Sequence, residues 1–161
     1  MKEKDLYEPI QLWLQTLLES HYPTKRIQTF ISSEVSLAKF IQTRGWMDKF
    51  PVYMTYECKV DVLGLIEDNK KADFVLIEVK LKPLSLTNIA QLIGFTRVIK
   101  PLHSLIISPE WLSSPMKTLF DIYRRFEILK FGKNQSIRIC KWDIEKEDID
   151  YNFIYPPGSP L

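Results

Sequence analysis

The chain has 161 residues, of which 45% are hydrophobic and 26% are charged. This composition is ordinary for a globular domain with a self-sufficient core, and it excludes a chain that is disordered throughout. The formal net charge of +2 neither demands nor excludes a polyanionic partner, so nucleic-acid binding has to be argued from local features.

The first elements of the chain are a helix, a strand and a second helix. Apolar side chains recur at helical spacing over residues 6–22, which predicts an amphipathic helix that ends before Pro23. The pattern then favours a strand over residues 27–35 and a short helix over residues 36–46.

Two apolar segments that carry acidic residues follow. Residues 52–58 and 60–66 predict two strands or one long bent strand, and Asp61 interrupts the second of these runs. After a polar turn, residues 74–81 are apolar on both faces until Glu78, which is the pattern of a central strand.

The second half of the chain predicts a crossover helix and further strands. Residues 86–100 are long enough for a helix and apolar nearly all round, which implies a buried crossover to a strand over residues 103–108. A strand, helix, strand unit of this length predicts parallel neighbours in a mixed sheet. A helix is expected over residues 115–123, and strands are expected over residues 126–131 and 136–142.

No repeat, low-complexity tract or shift in composition marks a boundary between domains. Residues 1–155 are therefore expected to form one α/β domain, a three-layer sandwich with a central mixed sheet flanked by helices. The proline-rich residues 156–161 are expected to form a flexible tail. Two distant cysteines, Cys58 and Cys140, and the lack of an apolar run near the 18 to 20 residues that span a bilayer favour a cytoplasmic protein with no membrane partner.

Three charged residues lie in strands that are otherwise apolar. Alternation along a strand puts Glu78 and Lys80 on one face, and burial of such charges is unfavourable unless a partner or a metal compensates. If the two strands are antiparallel neighbours, Asp61 and Glu78 converge, and a hard divalent cation would relieve their repulsion. Mg²⁺ held by both carboxylates and the Val79 carbonyl, beside an ammonium group, is the arrangement that phosphodiester hydrolysis requires.

These residues resemble the signature of the PD-(D/E)XK nuclease superfamily, an acid on one strand and acid-x-Lys on the next, here Asp61 and Glu78-Val79-Lys80. Position 60 is Val where the family name has proline. The resemblance covers residues 6–109 and is greatest to uncharacterised archaeal-type members. It implies a restriction-endonuclease-like fold and a DNA endonuclease dependent on Mg²⁺ or Mn²⁺, with DNA favoured over RNA. In that reading Asp61 and Glu78 bind the metal and Lys80 assists the attacking water.

The resemblance extends to residues outside the signature. Gln91 lies where many members carry a glutamine on the next helix, and a hydrogen-bonded core glutamine is an equal alternative. An acid on the opening helix or on an early strand completes the metal site in some members. Glu8 and Glu34 are comparable candidates for that acid, and Glu57 is a weaker one.

Two other functions stay open. A chain that kept the nuclease fold without cutting would be a non-catalytic nucleic-acid-binding or scaffold module. A nuclease for branched DNA, as in the archaeal junction resolvases of this superfamily, would imply a homodimer with two active sites. His21 and His103 are assigned no function, because neither has a second histidine or cysteine at the spacing of a zinc site.

Overall fold

A computed structural model describes residues 1–159 and places six of the eight strands in one mixed sheet. The helices are α1 (Tyr7–His21), α2 (Leu37–Arg44), α3 (Leu86–Ile99) and α4 (Ser114–Lys117). The strands are β1 (Arg26–Ile31), β2 (Val62–Glu67), β3 (Ala72–Val79), β4 (His103–Ser108), β5 (Lys130–Gly132), β6 (Gln135–Ser136), β7 (Arg138–Asp143) and β8 (Asp148–Tyr155). Strands β5 and β6 pair apart from the main sheet.

The strand order of the main sheet is β1-β2-β3-β4-β7-β8. Strand β2 is antiparallel to both β1 and β3, whereas β3, β4 and β7 run parallel to one another. Strand β8 returns antiparallel to β7. The predicted mixed sheet and the parallel neighbours joined through α3 are confirmed. Strands β2 and β3 are antiparallel neighbours, which is the condition on which the convergence of Asp61 and Glu78 depended.

Helices cover both faces of the sheet. Helix α1 packs on one face against side chains of β2, β3, β4 and β7, and α2 and α3 pack on the other face. Gly64 of β2 lies under α1, where a Cβ atom would lie 3.0 Å from Leu18 Cδ1 and 3.1 Å from Val75 Cβ. The glycine therefore permits the close approach of helix and sheet. The predicted three-layer α/β arrangement with a central mixed sheet is confirmed.

The strand expected over residues 52–58 is wrong. A 3₁₀ turn spans Tyr53–Thr55, and the segment joins no sheet. Its carbonyl groups instead accept hydrogen bonds from the first turn of α2. The amide of Leu37 donates to Cys58 O (2.8 Å), and the amide of Ala38 donates to Tyr56 O (2.9 Å). Tyr53, Tyr56 and Cys58 pack in one apolar cluster with α2, whereas the β-branched Val52 and Thr55 are exposed.

The sequence predicted that α3 is buried nearly all round, but only one face of this helix is buried. Its buried face consists of Ile89, Leu92, Thr96 and Ile99. Leu86 and Val98 on its outer side are 57% and 51% exposed. The reason is that α3 forms an outer layer of the sandwich, so only one of its faces meets the sheet.

The C-terminal part differs from the prediction in three places. The helix expected over residues 115–123 is the short α4 followed by a π-helical turn, Thr118–Ile122. Residues 126–131 form a 3₁₀ turn, Phe126–Leu129, and the start of β5 rather than one strand. Strand β8 was not predicted, although its apolar residues alternate with polar ones. Residues 160 and 161 of the predicted tail lie outside the described residues.

None of the helices in the described part of the chain combines the length and hydropathy that a membrane-spanning segment needs.

Candidate active site

The three charged residues singled out in the sequence lie together at one end of the sheet. Asp61 immediately precedes β2, Glu78 lies near the end of β3, and Lys80 follows that strand. Antiparallel pairing opposes Val62 to Ile77, which brings Asp61 beside Glu78. The sheet register therefore produces the convergence that the sequence predicted.

Backbone hydrogen bonds fix the two segments that carry these residues. Ser32, buried just beyond β1, donates its amide to Asp61 O (3.1 Å) and its hydroxyl to Val60 O (2.7 Å). On the other side, the amide of Lys80 donates to Ile107 O of β4 (2.9 Å). Both segments are thus held by neighbouring strands, which gives the side chains a rigid base.

The side chains make direct hydrogen bonds at this end of the sheet. The ammonium group of Lys80 donates to Glu78 Oε1 at 2.6 Å. The amide of Val79, between these two residues, donates to Asp61 Oδ2 at 2.8 Å. Each carboxylate therefore has one partner supplied by the acid-x-Lys segment.

Helix α1 and the turn before it contribute two further groups. The hydroxyl of Tyr7 donates to Asp61 Oδ1 at 2.9 Å and lies 3.5 Å from Glu3 Oε1. Glu3 Oε2 accepts a bond from the amide of Leu81 (3.3 Å), and Glu3 Oε1 lies 3.8 Å from Lys80 Nζ. Tyr7 thus bridges Glu3 and Asp61, and Lys80 bridges Glu3 and Glu78.

Sequence reasoning missed Glu3 and Tyr7, although the spacing contained a signal. The buried face of α1 includes Tyr7, Ile10 and Leu14, and Glu3 lies four residues before Tyr7, in the 3₁₀ turn that leads into the helix. Extending the apolar stripe back by one turn therefore reaches Glu3. Glu8 lies one position off this stripe and is exposed.

Burial dominates the electrostatics of the two acids. Glu78 is 7% exposed, and burial together with the nearby charge of Asp61 raises its pKa to about 7, although Lys80 opposes the shift. Burial also raises the pKa of Asp61, against the hydrogen bond from Val79 and the charge of Lys80. Both carboxylates are therefore less stable in their charged form than they would be in water.

The two donors keep their protons. Burial acts to lower the pKa of Lys80, but the hydrogen bond and charge of Glu78 outweigh it, so the pKa is raised and the ammonium stays charged. Burial and the charge of Asp61 raise the pKa of Tyr7 far above its usual value. Tyr7 therefore remains a phenol that donates to the carboxylate.

The chemistry of this cluster fits a hard divalent cation. Carboxylate oxygens are the ligands that Mg²⁺ prefers. A bound cation would offset the burial that raises both pKa values, and also the charge of Asp61 that adds to the shift of Glu78. Within residues 1–159, Glu78 Oε2 accepts no hydrogen bond and so is available to a ligand. No three acids, histidines or cysteines of this part of the chain converge on one point. A bound ion would therefore complete its shell with waters or backbone oxygens, as Mg²⁺ usually does.

The other residues proposed from the sequence lie outside this hydrogen-bonded cluster. Glu8 and Glu57 are exposed, and Glu34 forms an exposed ion pair with Lys4 at 2.6 Å. Gln91 is exposed on α3, so it is not a core glutamine. The Val79 side chain is buried while its amide bonds to Asp61. A ligand role for the Val79 carbonyl stays a prediction. The exposed positions of the other four residues give their predicted roles no support.

The structural similarity of this chain to known proteins is low. No protein-family model matches the chain, and no curated protein matches it significantly. Among solved structures, the chain is similar to the MspJI restriction endonuclease in complex with a 27-mer oligonucleotide, with a TM-score of 0.37 and 10% identity. The similarity covers 83% of this chain, which spans only 27% of the length of that one.

Proposed function

We propose that the protein is a metal-dependent nuclease that hydrolyses phosphodiester bonds in DNA. The observation that carries this proposal is the buried Glu78 and the partly buried Asp61 beside the Lys80 ammonium at the end of the sheet. Asp61 and Glu78 would bind Mg²⁺ or Mn²⁺, with the Val79 carbonyl as a further oxygen ligand. Among the candidates for a supplementary acid, the contacts favour Glu3 over Glu8, Glu34 and Glu57.

Each residue of the cluster would have a distinct task. When bound, Mg²⁺ or Mn²⁺ polarises a phosphate and lowers the pKa of a bound water. Lys80, charged and partly exposed, would orient the attacking water and stabilise the negative charge that develops on the phosphate oxygens. Tyr7 and the amide of Val79 hold one oxygen each of Asp61, which fixes the plane of that carboxylate.

Two exposed lysines next to the cluster would contact the DNA backbone. Lys59 lies two residues before Asp61, and Lys82 lies two residues after Lys80. Phosphate contacts of this kind orient a duplex without reading its sequence. This agrees with a net charge of only +2, because the positive charge that matters would be local.

The test is cleavage of a panel of substrates by matched variants. Wild type, Asp61→Asn, Lys80→Gln and the surface control Glu34→Gln would be incubated with linear, circular, single-stranded and four-way DNA and with RNA. Parallel reactions would contain Mg²⁺, Mn²⁺ or EDTA, and circular dichroism would verify that each variant is folded. We expect metal-dependent DNA cleavage by wild type and Glu34→Gln alone.

Two results would contradict the proposal. Cleavage that persists in folded Asp61→Asn would place the activity elsewhere. Metal-insensitive DNA binding with no cleavage of any substrate would instead assign the chain to the non-catalytic nucleic-acid-binding or scaffold alternative.

A further inference from the structure

A pocket with a different chemistry lies beneath the other end of α1. Its volume is about 160 Å³, and its apolar wall includes Leu14, Leu17 and Leu18 of α1 with Val75 and Leu105 of the sheet. An α-helix rises about 1.5 Å per residue, so the pocket residues near His21 lie about 20 Å along α1 from Tyr7. This α1 pocket is therefore separate from the acidic cluster.

The polar rim of the α1 pocket consists of His21, Tyr22, His103 and Arg138. The Tyr22 hydroxyl and His103 Nε2 are 2.5 Å apart. Burial and the charge of Arg138 lower the pKa of His103 to about 4, so this imidazole is neutral at pH 7. The rim therefore presents a neutral, hydrogen-bonded Tyr22–His103 pair beside one guanidinium.

Arg138 is the feature that the fold leaves unexplained. It is partly buried, and burial lowers the pKa of its guanidinium. Within residues 1–159 no carboxylate forms an ion pair with it, and nearby Asp73 is paired with Lys71 at 2.9 Å. A partly desolvated arginine is usually paired, because its planar fork matches a carboxylate and its desolvation needs an offset.

We propose that the α1 pocket binds a small organic carboxylate, with an aromatic or branched apolar body against the leucines of α1 and its head group on Arg138. The volume supports a ligand of this size, because a cavity of about 150 Å³ holds one benzene molecule. Arg138 and His103 also line an adjoining polar depression with Asn134 and Gln135. Arg138 therefore borders both an apolar pocket and a polar depression, which suits a ligand with an apolar body and a charged head group.

Benzoate and its uncharged counterpart benzamide are the probes for this site. Each would be titrated into the ¹⁵N-labelled full chain while amide shifts around His103 and Arg138 are followed. Benzoate is expected to bind with a Kd on the order of 1 mM, as suits a ligand of this size, and about tenfold more tightly than benzamide. Arg138→Gln should remove that preference, whereas Arg138→Lys should retain part of it.

Two further variants separate the pocket from general effects. Leu17→Trp fills the apolar wall from its partly exposed side and should prevent binding of both probes in a folded chain. Arg97→Gln removes an exposed arginine of α3 and should leave both affinities unchanged. Equal affinity for benzoate and benzamide, or an equal loss in Arg97→Gln and Arg138→Gln, would overturn the proposal. Absence of shifts up to about 20 mM benzoate would overturn it as well.

Discussion

Two lysine–glutamate pairs of equal length have opposite electrostatic consequences in this protein. The surface pair, Lys4–Glu34, has side chains that are 67% and 75% exposed, and its 2.6 Å hydrogen bond lowers the pKa of Glu34. The buried pair, Lys80–Glu78, also has a 2.6 Å contact, but its side chains are 23% and 10% exposed. Burial raises the pKa of Glu78 to about 7 in spite of its lysine.

The difference shows that desolvation, and not the length of the ion pair, decides the state of the carboxylate. An ion pair that stays exposed to water contributes little to the stability of the fold, because the Coulomb attraction is weak and little hydration is lost. At the end of the sheet, the loss of hydration and the repulsion from Asp61 destabilise the Glu78 carboxylate by more than the Lys80 ammonium stabilises it. A fold that keeps such a pair gives up stability there, which is typical of a functional site.

The largest expected difference between the two pairs is in catalysis. Glu78→Gln should lower the single-turnover rate of DNA cleavage in Mg²⁺ by about 100-fold to 1000-fold, because it removes a charged metal ligand. Glu34→Gln makes the same chemical change in the surface pair and should keep the wild-type rate. Equal rates in the two variants would show that the buried pair has no special role.

The next effect is on stability in the absence of metal. A pKa that rises from 4.5 to about 7 means that the folded chain destabilises the ionised Glu78 by about 3 kcal/mol relative to the neutral form. Glu78→Gln removes this charge, so it should raise the free energy of unfolding at pH 8 by up to about 3 kcal/mol. Urea denaturation would measure the change, and Glu34→Gln should leave the midpoint where it is. A destabilised Glu78→Gln would contradict the electrostatic account.

The same shift predicts how the difference depends on pH. Because the pKa of Glu78 is higher in the folded than in the unfolded chain, the folded state binds more protons between pH 4.5 and about 7. Wild type should therefore lose stability relative to Glu78→Gln as the pH rises through this window. Urea denaturation between pH 4 and 8 should show that the difference in unfolding free energy between Glu78→Gln and wild type grows toward neutral pH. A difference in unfolding free energy that is constant over this range would show that the pKa of Glu78 is not its cause.

The smallest effect concerns the residue that orients Asp61. Tyr7→Phe removes one hydrogen bond to a carboxylate and should lower the free energy of unfolding by about 1 to 2 kcal/mol. Tyr123→Phe is the matched control, since this tyrosine is 67% exposed. Thermal denaturation would compare the two. Equal changes in melting temperature for the two variants would show that the hydrogen bond from Tyr7 to Asp61 does not stabilise the fold.

The strands that position the site could be predicted because they are buried on both faces. Continuous apolar runs identify β3 and β4, and alternation places Glu78 on the face of Leu76 and opposite Ile77. The sequence left the antiparallel pairing of β2 and β3 as a condition, and the structure meets it. Local pattern was therefore sufficient for Glu78, Lys80 and the approximate place of Asp61.

The rest depended on contacts between distant parts of the chain. The hydrogen bond from Tyr7 to Asp61 joins residues 54 positions apart, and it is set by how α1 crosses the sheet. The apolar spacing of α1 extends to Tyr7 and Glu3 but does not report that crossing, and the family resemblance favoured Glu8 and Glu34 instead. Strand β8 was missed for a different reason, because Ile149, Tyr151 and Phe153 alternate among acidic residues that resemble a solvated surface.

A titration of thermal stability with Mg²⁺ and Mn²⁺ at pH 8 tests the central claim most directly. A ligand that binds only the folded state stabilises it by about 3 kcal/mol at a hundred times its Kd, which is enough to offset the strain at Glu78. Wild type should gain stability with metal and overtake Glu78→Gln, which starts more stable and should not respond. Equal responses of the two proteins, or none in either, would contradict a metal site formed by these acids.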